Sequence, residues 1–229
     1  MQNGCRTEKK YIIGLDAAAA LRERLLPVMQ ADPQAIDGAY RIRSLYFDTL
    51  DADAFWDKID GWGERCKYRL RFYNGDPSFI RLERKEKLGE TTRKTQAAVD
   101  PLAARAMQAG EYEPLLQSEE PLCRAFYAEA RAKKLLPAVT VEYRREPFVF
   151  ALDNVRITID TRVRAGNALT FFSALPPPFP VLDNGFAILE VKTDDRLPVM
   201  IGRVLESVPR QQQSYSKYAL GFARLHGIE

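Results

Sequence analysis

The chain has 229 residues, with 34 Lys and Arg against 31 Asp and Glu, a formal net charge of +3, one His and three Cys. A single domain with a sizeable core, spanning residues 1–229, is the default at this length. A hydrophobic fraction of 46% with 10% aromatics excludes a disordered chain. His226 is the only histidine, which excludes a His-rich zinc site and argues against Ser-His-Asp or Cys-His catalysis. Chemistry falls to Lys, Arg and carboxylates. Cys5, Cys66 and Cys123 are widely spaced and lack a CxxC pair, so they read as free thiols of a reducing compartment. No apolar run approaches the ~18 residues of a membrane-spanning helix, and Met1 to Arg6 has no secretory h-region. A soluble cytoplasmic protein is expected.

In chain order, a strand over Arg6–Ile13 leads into a helix over 16–26 with Asp16 as N-cap. A strand over Tyr40–Phe47 follows, and Asp48-Thr49 opens a short helix through Phe55 and Trp56. Strands Arg65–Tyr73 and Phe79–Lys87 flank Asn74-Gly75-Asp76-Pro77, the signature of a hairpin. Another strand is expected over Thr92–Val99, then helices near 101–110 and 118–135. Strands resume at Val139–Tyr143, Phe148–Leu152, Arg156–Arg164 and Ala187–Thr193, after a proline-rich loop around Pro176-Pro177-Pro178. Helices near 196–206 and 215–226 close the chain. Many antiparallel strands with helices between them predict an α+β protein built on a large sheet or closed barrel.

What alternates along these strands is informative, because residues i, i+2 and i+4 of a strand share a face. Lys67, Arg69 and Arg71 oppose Tyr68, Leu70 and Phe72. Arg81, Glu83 and Lys85 repeat the pattern, as do Arg156, Asp160, Arg162 and Arg164, Glu190 with Lys192, and Arg6, Glu8 and Lys10. One face of an antiparallel sheet is ordinarily solvated. A merely solvated face, however, mixes Thr, Ser, Gln and both charges, whereas here cations dominate and carboxylates recur singly. If the sheet closes, these faces line an interior. Repulsion among confined like charges then calls for a polyanion. Arg suits phosphate through its planar fork, Lys adds a point charge, and a carboxylate such as Glu190 with phosphate oxygens suits Mg²⁺ or Mn²⁺.

The segments Tyr40-Arg41-Ile42-Arg43-Ser44-Leu45-Tyr46-Phe47-Asp48-Thr49, Lys67 to Tyr73, Leu82-Glu83-Arg84-Lys85, Arg156-Ile157-Thr158-Ile159-Asp160-Thr161, Leu189-Glu190-Val191-Lys192 and Ser214 to Tyr218 occur in this order. Over roughly residues 6–222 they resemble the VTC domain, the polyphosphate polymerase domain of the vacuolar transporter chaperone complex and a triphosphate tunnel metalloenzyme. The resemblance implies an eight-stranded antiparallel barrel forming a tunnel for ATP and polyphosphate, with helices packed outside. By motif position it implies catalytic roles for Arg69, Arg71, Lys85, Arg145 and Arg156, and a metal ligand, for Mn²⁺ or Mg²⁺, in Glu190. Lys10, Lys94, Lys192 and Lys217 would bind substrate, and Lys67 and Arg162 join them from the basic strand faces. Simple alternation from Val139 puts Arg145 on the apolar side, so either a bulge intervenes or Arg144 is the inward residue.

Hydrolytic relatives of the superfamily begin Glu-x-Glu-x-Lys, whereas this chain reads Arg6-Thr7-Glu8-Lys9-Lys10. Losing that carboxylate favours transfer of the ATP γ-phosphate to polyphosphate over hydrolysis. A triphosphatase using Glu8 or Glu83 to activate water is the second reading, and a non-catalytic module for polyphosphate or nucleotide the third. A net charge of +3 is too modest for a nucleic-acid surface. Any regulation or translocation would need a separate regulatory or membrane partner. Trp56 and Trp62 read as packing or loop anchors, and Asp194-Asp195 as a helix cap.

Overall fold

A computed structural model describes residues 7–89, 91–151, 154–194 and 196–228. Cys5, Arg6, Glu90, Leu152 and Asp195 lie outside the described residues. The elements in chain order are β1 Thr7–Gly14, α1 Leu15–Leu25, β2 Gln30–Ala31, β3 Tyr40–Asp48, α2 Asp53–Ile59, β4 Glu64–Tyr73, β5 Asp76–Leu88 and β6 Thr91–Val99. They continue with α3 Pro101–Ala109, a 3-10 turn at Glu113–Gln117, α4 Pro121–Lys133, β7 Leu136–Phe150 and β8 Val155–Gly166. After a second 3-10 turn at Ala168–Thr170 come β9 Phe179–Pro180, β10 Phe186–Thr193, α5 Val199–Glu206, β11 Gln211–Gln212 and α6 Lys217–His226. Among the described residues, no helix is long and apolar enough to cross a membrane.

The α+β class with a large antiparallel sheet is as the sequence predicts, but the closed eight-stranded barrel is not. The strands pair in one 11-stranded sheet in the order β11-β1-β10-β8-β7-β3-β4-β5-β6, with β2 on β7 and β9 on β8, and this path is open. The strands missing from the expected count, β2, β9 and β11, are two residues long, too short for a period-2 pattern. Alternation also reports only which side a residue faces, not whether the last strand meets the first. The two strands expected over Val139–Tyr143 and Phe148–Leu152 are one strand of 15 residues, β7. The residues between the two expected strands include Arg144-Arg145-Glu146, which stay extended, and each of these charges has a partner.

The chain divides into two compact units. The first holds the described residues up to Arg41, with Tyr143–Val163 and Leu182–Tyr215. Its strands turn Ile13, Val155, Ile157, Ile159, Ala187, Leu189 and Val191 to one side, where Ala18, Leu21 and Leu25 of α1 and Ile201 and Leu205 of α5 bury them. The spacing of three and four in α1 is the stripe a helix needs to cover a sheet. Asp16 is not the N-cap: Gly14 is, and Asp16 sits in the first turn, where its charge complements the helix dipole.

The second unit holds Ile42–Glu142 and Arg164–Val181, with the described residues from Ser216 onward. Asn74 and Gly75, at φ 53° and 75°, make the two-residue turn between β4 and β5, a connection whose both positions demand left-handed backbone. Leu45, Phe47, Tyr68, Leu70, Phe72 and Leu82 pack against Ala104 and Met107 of α3 and Phe126 and Ala130 of α4. The Phe126 ring lies 5.0 Å from both Phe47 and Tyr68. Asp100 caps α3 by accepting the N–H groups of Leu102 at 2.8 Å and Ala103 at 3.2 Å, ahead of Pro101. In α6, Gly221 lies so close to β7 that a Cβ there would sit 2.8 Å from Val141 Cγ2.

Candidate functional site

In the second unit the registers of β3 to β6 set the polar face in rows. Ser44, Arg71 and Arg81 are opposite one another, then Tyr46, Arg69, Glu83 and Gln96, then Lys67, Lys85 and Lys94, then Arg65, Lys87 and Thr92. On β4, β5 and β6 these rows contain one carboxylate, Glu83. Arg69 donates from Nε to Glu83 at 2.7 Å, Lys94 reaches it at 2.7 Å, and an Arg71 nitrogen lies 3.7 Å away. Burial opposes the charge of Glu83, yet the three cations outweigh it and hold the carboxyl well below the usual carboxylate range. Arg71 also donates to Ser44 at 3.0 Å, and Arg69 to the Tyr46 hydroxyl at 3.0 Å. Lys85 is directly opposite both Lys67 and Lys94, a like-charge juxtaposition that ordinarily destabilises a ladder.

An aromatic pair supports the end of this face. Lys67 Nζ lies 4.7 Å over the Tyr218 ring, whose centroid is 5.2 Å from that of Tyr46. The Tyr218 hydroxyl donates to buried Asp48, and the same carboxylate accepts N–H groups from Ala54 at 2.9 Å and Phe55 at 3.1 Å. Burial and the adjoining carboxylate push the Tyr218 phenol far up, so it stays a donor. Asp48 therefore caps α2 from beyond its expected position and fastens α6 as well. Lys217 is the first residue of α6, just after the cap residue Ser216, whose hydroxyl accepts the N–H of Ala219 at 3.3 Å.

In the first unit β1, β10 and β8 build a second polar face. The registers align Lys10, Glu190 and Thr158 in one row, and Glu8, Lys192 and Arg156 in the next. Lys192 reaches Glu190 closely and Glu8 at 3.9 Å, and Lys10 pairs with Glu8 at 2.7 Å. Arg145 donates to both oxygens of buried Asp160 at 2.7 Å, and its guanidinium is 3.7 Å from Glu190. Burial disfavours the Arg145 charge, but Asp160 overrides it and drives the pKa further up. Arg156 donates from one terminal nitrogen to Asp32 at 3.0 Å and to the Tyr40 hydroxyl at 2.6 Å.

Of Arg144 and Arg145, it is Arg145 that lies beside Asp160 and Glu190. Arg144 pairs with Glu146, which also binds Arg22 of α1 at 2.9 Å. Val139 and Val141 mark where α6 covers β7, not a core side for Arg145. Of the expected site residues, Arg69, Arg71 and Lys94 converge on Glu83, with Lys67 and Lys85 in the adjoining row, while Lys10, Arg145 and Lys192 gather around Glu8, Asp160 and Glu190. Arg162 joins neither set: it is exposed, and its φ of 52° interrupts the alternation that put it beside Asp160. Ser44, Tyr46, Asp32, Tyr40 and Thr158 belong to these faces, and the charge pattern did not mark them because these side chains are mostly neutral. Alternation in Tyr40–Phe47 already carried the signal for Ser44 and Tyr46. Trp56, 47% exposed, sets its ring edge-on against buried Phe55 at 4.9 Å, and Trp62, 64% exposed, lies in the loop between α2 and β4. Cys66 and Cys123 are free, and burial pushes both thiols up, away from reactivity.

Polar strand faces that set arginines and lysines among a few carboxylates, with helices over the apolar sides, are the setting in which the comparisons with known proteins fall. The chain belongs to the VTC domain family, whose model matches residues 5–226. No curated protein matches it. Among solved structures it is similar to the PH1819 protein of Pyrococcus horikoshii OT3, at 15% identity over 94% of this chain and 97% of that one, with a TM-score of 0.47. It is also similar to PH1012 of the same organism, at 12% identity over 88% and 86% of the two chains, with a TM-score of 0.45.

Proposed function

We propose that this protein transfers the γ-phosphate of ATP to a polyphosphate chain with the help of a divalent metal. The observation that carries the reading is the charge pattern of β4, β5 and β6, where Arg69, Arg71 and Lys94 share Glu83 beside the row Lys67, Lys85 and Lys94. A chain of phosphoryl groups relieves that repulsion, and membership of the VTC domain family supports the same chemistry. Arg69 and Arg71 present planar forks to phosphoryl oxygens, while Lys67, Lys85, Lys94 and Lys217 guide the chain. In the first unit, Arg145 and Arg156 are proposed phosphate contacts, with Lys10 and Lys192 beside them. Phosphoryl transfer through a loose transition state needs alignment and neutralisation more than a side-chain nucleophile, so the scarcity of histidine is no obstacle.

Mg²⁺ or Mn²⁺ is the metal this reading requires. Among the described residues no group of three or more His, Cys, Asp or Glu could hold an ion. Glu190 and Glu8 do converge on one cation, the Lys192 ammonium. That donor set fits a hard ion that takes one or two carboxylates and completes its shell with water and phosphate oxygens. Glu190, assisted by Glu8, would hold it, and the bound ion would neutralise charge on phosphoryl oxygens. Asp160 is committed to Arg145.

Hydrolysis is less well served. Glu83 is held ionised by three cations, and a carboxylate depressed in this way is a weak base. Glu8 is engaged by Lys10. The test is to incubate the protein with ATP and Mn²⁺ and resolve products by size. Long chains with stoichiometric ADP are expected, and loss of about tenfold or more in Arg69→Ala and Arg71→Ala. Phosphate as sole product would replace the proposal with a triphosphatase, and binding without turnover would replace it with a polyphosphate-binding module.

A further inference from the structure

Among the described residues, two buried polar atoms on the first unit's polar face have no hydrogen-bond partner: the Thr158 hydroxyl and the Arg156 Nε. Thr158 is 2% exposed. Both residues belong to β8 and stand two apart, so they share one side of the strand. Directly across the ladder from Thr158 is Glu190, and across from Arg156 is Lys192. Nearly all buried polar groups in proteins are satisfied, because an orphaned one forfeits its hydration without return. Two orphans side by side on one strand face mark a position where an atom belongs.

The chemistry of the two atoms says what kind. Arg156 Nε–H can only donate, and its terminal nitrogen is already fixed by Asp32 and Tyr40, so the guanidinium cannot turn away to satisfy Nε elsewhere. The Thr158 hydroxyl donates readily. The group that serves both is an oxygen acceptor. The surrounding cations Lys10, Lys192 and Arg145 are each already met by Glu8, Glu190 or Asp160. An anion held here therefore arrives with most of its charge already neutralised, as a phosphoryl group does when it shares a divalent ion with Glu190.

We propose that Thr158 and Arg156 Nε form a buried subsite for one phosphoryl oxygen, in which the Thr158 hydroxyl is a substrate-binding group. This rests on the phosphoryl-transfer reading above but concerns binding alone.

The test uses the full chain with Thr158→Val and Thr158→Ser, and Thr140→Val as control. Among the described residues Thr140, on β7 in the second unit, carries another orphaned hydroxyl. Calorimetric titration with tripolyphosphate and Mn²⁺ should show Thr158→Val weakened about tenfold, the worth of one hydrogen bond to a charged oxygen. Thr158→Ser should bind like the parent, and Thr140→Val should be unchanged. In the absence of ligand, Thr158→Val should melt at or above the parent's temperature, since it removes an orphaned hydroxyl at nearly constant volume. Unchanged affinity in Thr158→Val, at any melting temperature, would mean that the hydroxyl serves only a water, and would overturn the proposal. Failure of the parent to bind tripolyphosphate would overturn it together with the functional reading. A parent that binds but makes no polymer would sink polymerisation alone and leave the subsite to be judged by the titration.

Discussion

In the first unit four of the cations each lie against a carboxylate: Lys10 of β1 with Glu8, Lys192 of β10 with Glu190, Arg156 of β8 with Asp32, and Arg145 of β7 with Asp160. On β4, β5 and β6, Arg69, Arg71 and Lys94 divide a single Glu83 and lie beside further lysines and arginines. The two faces use the same side chains and differ in their ratio. A matched face is stable without ligand and holds its groups at fixed positions. A face on which several cations share one carboxylate sets like charges close together, which an anion offsets. The first kind suits holding a reacting group and its metal, and the second suits gripping a polyanion.

The sharpest way to break this comparison is to unmatch the matched face. Asp160→Asn leaves Arg145 buried beside a neutral amide and should lower stability by about 3–5 kcal/mol, read from denaturant melts. Tripolyphosphate should restore little of it. Glu83→Gln should destabilise by about 3 kcal/mol in the same measurement, because Arg69 and Arg71 lose their shared counterion. Here tripolyphosphate should raise the melting temperature more than it does in the parent. Equal rescue of both variants would erase the distinction between the faces. Gly221→Ala tests the packing that both readings assume: its new methyl meets Val141, and a loss of about 1–3 kcal/mol is expected.

The smallest expected effect is in acid. Glu83 has a folded pKa below its unfolded value of about 4.3, so its contribution is fully present above that pH. It is lost as pH falls towards the folded value. Acid unfolding of the parent should therefore be steeper below about pH 4.3 than that of Glu83→Gln, monitored by circular dichroism. Parallel acid curves would mean that Glu83 is not held down by its three cations.

Much of this was legible in the sequence, for reasons that also mark its limits. The alternation of Lys67, Arg69 and Arg71 with Tyr68, Leu70 and Phe72 gave a face because backbone geometry enforces period 2. Asn74-Gly75 gave the hairpin because few other pairs tolerate two left-handed positions. Closure was not legible, since pairing between distant strands leaves no local trace. Arg162 was misplaced beside Asp160 because one left-handed residue resets the alternation, and an arginine gives no hint of it. Thr158 was passed over because a neutral hydroxyl becomes informative only when its neighbours are seen to leave it unsatisfied.

The rows across β4, β5 and β6 also bear on how the chain finds its fold. Were β5 to slip by one residue against β4, Arg81, Glu83 and Lys85 would be driven into the layer now filled by Leu70, Leu82 and Phe126, and Ile80 and Leu82 would emerge among the charges. So heavy a penalty makes the wrong register self-rejecting during folding. Any substitution that makes the face more neutral therefore weakens a safeguard against mispairing as well as the proposed binding surface, and its first symptom should be a lower yield of soluble, folded protein.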